Sequence, residues 1–278
     1  MSTLLCGDYR LLIDKPLIMG IVNLTPDSFS GDGVRGDVAR ALAHAEAQLA
    51  AGADILDIGA ESSRPGAMPT PLEEELSRLM PILKEVGRWG VPVSVDTYKA
   101  PVMAEALAQG ASMINDIGGM SSPEALAAVA DSNCAVCVMH MQGTPGTMQH
   151  APAYRDVVVE VESWLESTVD RCVSAKISKE RLVLDPGFGF GKTLEHNIAL
   201  FKHLGLMCGG KYPLLVGVSR KRMLGEMTGR PVTDRKAASI AAALMAAQRG
   251  AAIIRVHDVA ETRDALKVLA ALGKGEQK

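Results

Sequence analysis

Nine polar residues are spread along the chain at similar local positions: Asn23, Asp57, Asp96, Asn115, His140, Asp185, Ser219, Arg255 and His257. Each follows or closes a short apolar run. Their types suit a site that binds a polar ligand. A buried carboxylate accepts paired N–H donors and favours nearby positive charge. Asparagine offers both a donor and an acceptor. Arginine grips an oxyanion as a fork, and histidine adds a further bond. Turn chemistry also favours Asn, Asp and Ser where strands end. That explains one such residue easily and eight in register poorly, so a shared site is the better reading.

Three segments rich in Gly, Pro and hydroxyls follow such positions: 23–33 (Asn-Leu-Thr-Pro-Asp-Ser-Phe-Ser-Gly-Asp-Gly), 61–67 (Glu-Ser-Ser-Arg-Pro-Gly-Ala) and 185–193 (Asp-Pro-Gly-Phe-Gly-Phe-Gly-Lys-Thr). This composition suits loops that fold over a ligand. The third imitates nucleotide motifs but fails both. A phosphate-binding G-x-x-x-x-G-K-[ST] ending at Gly191-Lys192 needs glycine where Pro186 stands. A dinucleotide G-x-G-x-x-G from Gly187 needs glycine where Lys192 stands. Neither ATP nor NAD is expected.

The elements that must hold these residues alternate. Strand-like runs are expected at 17–23, 54–59, 92–97, 112–117, 134–140, 181–185, 213–219 and 251–257. Helical stretches are expected at 37–51, 72–89, 101–109, 123–131, 154–175, 195–206, 234–249 and 260–271, with Asp37 as an N-cap of the first. Eight β-then-α cycles in one domain spanning 1–278 fit a (β/α)8 TIM barrel, whose strand C-termini converge on the catalytic face. A doubly wound open sheet is the alternative on pattern alone.

Composition narrows the class. Of 278 residues 47% are hydrophobic, enough for a large core, yet no apolar run nears the roughly 20 residues that span a membrane. Residues 1–10 carry no secretory pattern, so the cytoplasm is expected. A net charge of −3 argues against nucleic acid but leaves room for a small anionic substrate in a local basic pocket. The five cysteines, at scattered spacing, do not read as a disulfide framework. Cys134 and Cys137 form a C-x-x-C on a strand, where odd spacing sends the side chains to opposite faces. Buried, reduced thiols are expected.

Five segments in order, beginning at Asn23, Glu61, Asp185, Ser219 (Ser-Arg-Lys) and Arg255 (Arg-Val-His-Asp-Val), resemble the motifs of dihydropteroate synthases from about Ile18 to Val259. The resemblance implies a transferase of folate biosynthesis. 4-Aminobenzoate would displace diphosphate from (7,8-dihydropterin-6-yl)methyl diphosphate, giving dihydropteroate by an SN1-like path. It implies that Asp185 accepts the pterin's paired N–H donors, that Asp96 and Asn115 bind the rest of the ring, and that Lys221 lies near both substrates. Asp185, Lys221, Asp96 and Arg255 would be the catalytic set. Arg255 and His257 would hold the diphosphate, and Asn23 would ligate a magnesium ion. Ser63, Arg64, Pro65 and Ser219 would face aminobenzoate, and sulfonamides, which mimic it, would compete there. Met139 and Phe190 would line the pockets, although core packing also suits Met139. Asp57 would support Asn23 or the pterin site, and His140 has no implied role beyond structure.

The pattern departs from the family's in Gly31-Asp32 of the first loop, in Ser63 where threonine is common, and in Arg222 after Ser-Arg-Lys. A homodimer is implied, with the small-residue stretch 237–247 able to pack across a two-fold or simply against the barrel wall. The rivals are a pterin-binding methyltransferase domain, which the Ser219-Arg-Lys and Arg64-Pro65 segments argue against, and a paralogue that binds without turnover.

Overall fold

In a computed structural model the chain is described over residues 2–25, 33–63 and 66–273. Eight parallel strands form a ring: β3 (Leu17–Asn23), β4 (Ile55–Gly59), β5 (Val93–Asp96), β6 (Met113–Asp116), β7 (Ala135–Met139), β8 (Leu182–Asp185), β9 (Leu215–Val216) and β10 (Ile253–Val256). Consecutive strands pair from β3 to β8, and β10 lies between β3 and β9. The ring closes between β8 and β9, where the Leu184 N–H donates to Pro213 O at 2.9 Å beside a Leu184–Leu214 bridge. This is the expected TIM barrel.

Helices wrap the outside: α1 (Gly33–Ala50), α2 (Leu72–Val86), α3 (Ala100–Ala108), α4 (Pro123–Ala130), α5 (Val157–Ser174), α6 (Leu194–His203), α8 (Lys236–Gln248) and α9 (Val259–Leu272). A short additional helix, α7 (Arg222–Thr228), sits between β9 and α8. Among the described residues no helix is long and apolar enough to cross a membrane.

The strands are buried on both faces, as parallel strands under helices must be. Alternate residues join different cores. Ile18, Val22, Leu56, Ile58, Val136 and Val138 pack outward beneath the helices. Met19, Ile55, Met113, Ala135, Val183, Leu215 and Ile253 point into the barrel. Cys134 belongs to the outer core and Cys137 to the inner one, as their odd spacing requires, and all five thiols are free and buried.

A hairpin absent from the sequence expectations closes the lower end. β1 (Ser2–Cys6) pairs antiparallel with β2 (Tyr9–Ile13), and Leu4 and Cys6 press against the inward apolar layer. Gly7 turns the chain at φ +60°, and its N–H donates to Asn133 O at 3.0 Å. Its signal was Gly7-Asp8 between two short apolar runs, a tight hairpin turn.

Boundaries also differ. α1 begins at Gly33, so Asp37 lies inside it and is not a cap. α5 starts only after Asp156, whose carboxylate accepts the Val158 and Val159 N–H groups at 2.9 and 3.2 Å. The expected strand 213–219 shrinks to Leu215–Val216. Beyond it, Arg220 at φ +57° and a Lys221 N–H bond to Val218 O bend the chain into α7.

Candidate active site

In four of the strands the inner row changes character two residues after its apolar member. Ile55 is followed by Asp57, Met113 by Asn115, Val183 by Asp185 and Ile253 by Arg255. A period of two keeps such pairs on one face, so these polar groups point into the barrel above the apolar layer. Asp57, Asn115 and Arg255 therefore lie inside their strands rather than at the very ends.

Arg255 organises one half of the layer. Its Nε lies 2.5 Å from Asp57 Oδ2 and its Nη2 lies 2.8 Å from Asp96 Oδ2. Asn115 Nδ2 also donates to Asp57 Oδ2 at 3.3 Å. Asp57 is wholly buried, and its Oδ1 has no hydrogen-bond partner among the described residues. Burial pushes Asp96 up to about 7; Arg255 opposes this, while Asp57, Asp116 and Glu75 add to it. Burial also works against the Arg255 charge, but Asp57 and Asp96 outweigh it and hold that charge firmly. Two of the five guanidinium N–H groups serve these acids, which leaves three to offer.

Asp185 and Lys221 organise the other half. Burial raises the Asp185 carboxyl, with Lys221 and the Gly187 N–H, at 2.7 Å from Oδ1, acting against it. The turn-residue reading of Asp185 and the site reading thus coexist: one oxygen takes the local turn, and lone pairs remain on both. Lys221 Nζ donates to Phe188 O at 2.6 Å and stands 4.5 Å above the Phe190 ring. Burial pulls Lys221 down to about 8 while Asp185 pulls it back up.

The turn between them is tightly seated. Gly187 has φ +70°, and a Cβ there would lie 1.9 Å from His140 O. Lys192 is almost fully buried and donates to Gly187 O at 2.9 Å, to Phe190 O at 3.0 Å and to His140 Nδ1 at 2.9 Å. Burial lowers His140 to about 3, so its ring is neutral and accepts at Nδ1.

Above this floor opens a cavity of about 1140 Å³. Its wall includes Asn23, Ser63, Asp96, Phe190, Ser219, Lys221, Arg255 and His257. Phe190 also joins Ile117, Met139 and Met148 in a small apolar cluster on the same face. Ser219 Oγ and His257 Nδ1 are 3.0 Å apart, and the His257 N–H donates to Ser219 Oγ at 3.2 Å. Glu61, at the start of the second loop, accepts from Tyr98 Oη at 2.7 Å and pairs with Lys99.

The structure thus brings together every expected site residue it describes, while Arg64 and Pro65 lie outside the described residues. Asn115, Met139 and Asp185 form the buried floor rather than the cavity wall. Asp57, only loosely placed from sequence, is the partner of Arg255. Sequence reasoning missed Lys192, Ile117 and Met148. Lys192 enters the sequence reading only within the segment from Asp185, and no local pattern there marks a lysine as buried.

Among the described residues no group of three or more His, Cys, Asp or Glu could hold a metal. The half-buried Asn23 on the cavity wall supplies one amide oxygen. Magnesium keeps waters and borrows substrate phosphate oxygens, so this donor set fits an ion that arrives with a diphosphate rather than a caged one.

Fold and site together define a barrel enzyme with a charged strand-end pocket. The chain belongs to the pterin binding enzyme family, whose profile matches residues 19–257. Within that family the similarity narrows to dihydropteroate synthases. The dihydropteroate synthase of Neisseria meningitidis serogroup C is 53% identical over 274 residues, covering 96% of each chain. The Xanthomonas albilineans enzyme, solved with 4-aminobenzoic acid, superposes with a TM-score of 0.93 at 48% identity, covering 99% of both chains. The Burkholderia cenocepacia enzyme, solved with 7,8-dihydropteroate, superposes with a TM-score of 0.90 at 47% identity, covering 98% of this chain and 96% of that one.

Proposed function

We propose that this strand-end cluster carries out the dihydropteroate synthase reaction: 4-aminobenzoate displaces diphosphate from (7,8-dihydropterin-6-yl)methyl diphosphate to give 7,8-dihydropteroate. The observation that carries the residue roles is the layer of buried charges at the strand ends: Arg255 bridges Asp57 and Asp96, and beside them Asp185 and Lys221 sense each other's charge. Asp185 is suited to accept the two N–H donors on the pterin's guanidine-like edge, a planar charge-assisted contact. Asn115 and Asp96 complete the ring's hydrogen bonds, and the cluster of Ile117, Met139 and Phe190 supports an apolar slot for its faces.

The bond that breaks joins the pterin methylene carbon to the diphosphate oxygen, and the electron pair leaves with diphosphate. Arg255 still has donors for that anion, and His257 on the same wall adds another contact. Magnesium, held by Asn23 and the diphosphate, would neutralise the leaving group. Asp185 and Asp96 favour the positive charge that spreads over the pterin as the bond opens, which supports an SN1-like path. The aminobenzoate nitrogen then donates its lone pair to the methylene carbon and releases a proton. Lys221, Ser219 and Ser63, with Arg64 and Pro65 of the second loop, are the groups assigned to hold aminobenzoate.

The test is direct. Purified protein with both substrates and magnesium should release dihydropteroate and diphosphate in equal amounts, and a sulfonamide should inhibit competitively with 4-aminobenzoate. No turnover, or turnover indifferent to aminobenzoate, would remove the reading. We also infer a homodimer. Met227, Met245 and Val268 stand exposed on α7 to α9, whereas Ala242, Ala243 and Ala246 of α8 press inward. Sedimentation tests this. Five free buried thiols support a reducing compartment such as the cytoplasm.

A further inference from the structure

We propose that Lys192 is a positioning residue for the reaction: its buried ammonium clips the 186–193 turn onto His140 and thereby sets Asp185 and Lys221. This rests on the reading of Asp185 as the pterin's acceptor. Lys192 is only 3% exposed and reaches no solvent-facing partner. An ammonium has three hydrogens, and three acceptors stand within 3.0 Å: Gly187 O and Phe190 O in its own turn, and His140 Nδ1 on the segment after β7.

The site's own contacts hang between those anchors. The Gly187 N–H holds Asp185 Oδ1 at 2.7 Å, Phe188 O receives Lys221 at 2.6 Å, and the Phe190 ring lies beneath the Lys221 ammonium. His140 is itself fixed, with Trp164 edge-on at 5.1 Å and Tyr154 at 6.1 Å between ring centroids. The turn lies flush on this segment, since a Cβ at Gly191 would stand 2.5 Å from Gln142 O. Loosening one anchor therefore moves the turn as a unit.

A buried charge is an expensive fastener, because an apolar side chain of similar length avoids the desolvation cost. What the charge adds is a field. Lys192 acts on Asp185 from within the same turn, Lys221 and Arg255 act on it from their own strand ends, and the Asp185 charge in turn raises the Cys137 thiol of β7. Lys192 and Lys221 both hold the Asp185 charge against burial. Burial pulls Lys192 itself down to about 7 while Asp185 pulls it back up, so its charge is fullest on the acid side, where the Asp185 carboxylate needs it.

Lys192→Met, Lys192→Arg, His140→Leu and Asp185→Asn in the full chain test this, with kcat/KM against pH, calorimetric binding of 7,8-dihydropteroate and Tm measured on each. Lys192→Met is expected to lose roughly 10- to 100-fold in kcat/KM, as supporting-shell changes do, and to melt earlier, since three buried acceptors lose their donor. Its acid limb should move up by about one pH unit as Asp185 loses a cation. Lys192→Arg should recover most of the loss. His140→Leu should show a smaller loss in the same direction, and it remains informative if Lys192→Met does not fold. Lys192→Met or His140→Leu with wild-type kcat/KM and an unmoved acid limb overturns the proposal, whatever the Tm. If Asp185→Asn also keeps its activity, the pterin reading has failed; if Asp185→Asn alone loses it, only the positioning role has.

Discussion

The two ends of the barrel are built from the same strands and obey opposite rules. In the lower layer Met19, Ile55, Met113, Val183, Leu215 and Ile253 meet the hairpin residues Leu4 and Cys6 in a dry apolar plug. Two residues further along, Asp57, Asn115, Asp185 and Arg255 occupy the same inward face. Apolar burial contributes about 25 cal/mol per Å² to stability. Buried charges cost free energy unless paired, which is why Asp57 and Asp96 share one guanidinium. The lower end therefore holds the fold, and the upper end holds a poised field at some expense to it. One step of the β repeat separates the two tasks, so each can be broken alone.

The largest expected effect lies at the upper end. Asp185→Asn keeps the acceptor for Gly187 but replaces the other oxygen with a donor facing the pterin's donors. Loss of a charged bidentate partner costs roughly 2–4 kcal/mol, or about 30- to 1,000-fold in kcat/KM. Burial already disfavours the Asp185 charge, so Tm should stay level or rise. A variant that melts earlier yet keeps its activity would merge the two ends into one structural role.

At the lower end Leu4→Ala should cost about 2–4 kcal/mol and lower Tm by roughly 5–15 °C, with kcat/KM of the folded enzyme within about twofold of wild type. A tenfold loss of activity there would show that the plug shapes the site.

The pH response sharpens the contrast. With Asp96 pushed up to about 7 and Lys221 pulled down to about 8, kcat/KM should form a narrow bell, falling about tenfold per unit outside it. Stability should move the other way on the acid side. Asp96 is harder to ionise folded than unfolded, so its stabilising contribution is full below about 4 and is lost as pH rises through about 7. Asp96→Asn should flatten the stability trend and leave an acid limb set by Asp185, whose carboxyl burial also raises. An unchanged acid limb in that variant would give the whole titration to Asp185.

The smallest effect is expected at Asn23. Asn23→Ala should weaken binding of the pterin diphosphate about three- to tenfold, since one neutral hydrogen-bond or metal contact is worth about 1 kcal/mol. Binding of the product 7,8-dihydropteroate should hardly change. Equal loss for both ligands by calorimetry would take the metal away from Asn23.

Much of this was legible in residues. Alternating strand-like and helical runs set the barrel, and the polar member of each strand run marked the site. The hairpin was missed because Leu4 and Cys6 form a run too short to stand out, and only docking against Met19 and Met113 makes it a plug. The first helix is longer than its sequence suggests, because Asp37 suits a cap while the chain is already helical at Gly33. β9 is shorter than its sequence suggests, because apolar 213–218 reads as extended while the chain must bend after Val216 to enter α7.

The sequence by itself determined the order of elements, the inward parity of each strand and the kinds of group at its top, because side-chain direction in a strand follows from counting by two. It also determined family membership, through motifs that can be read in order. Only the tertiary structure decided which charges face one another. Arg255 reaches Asp57 from 198 positions away, and Lys192 reaches His140 across 52. Those pairings depend on the closure of the ring between β8 and β9 and on the tilt that stacks one strand's residue against its neighbour's, and no local pattern carries that distance. The same closure removes water from the layer, and removal of water is what shifts Asp96, Asp185 and Lys221 from their ordinary ionisation.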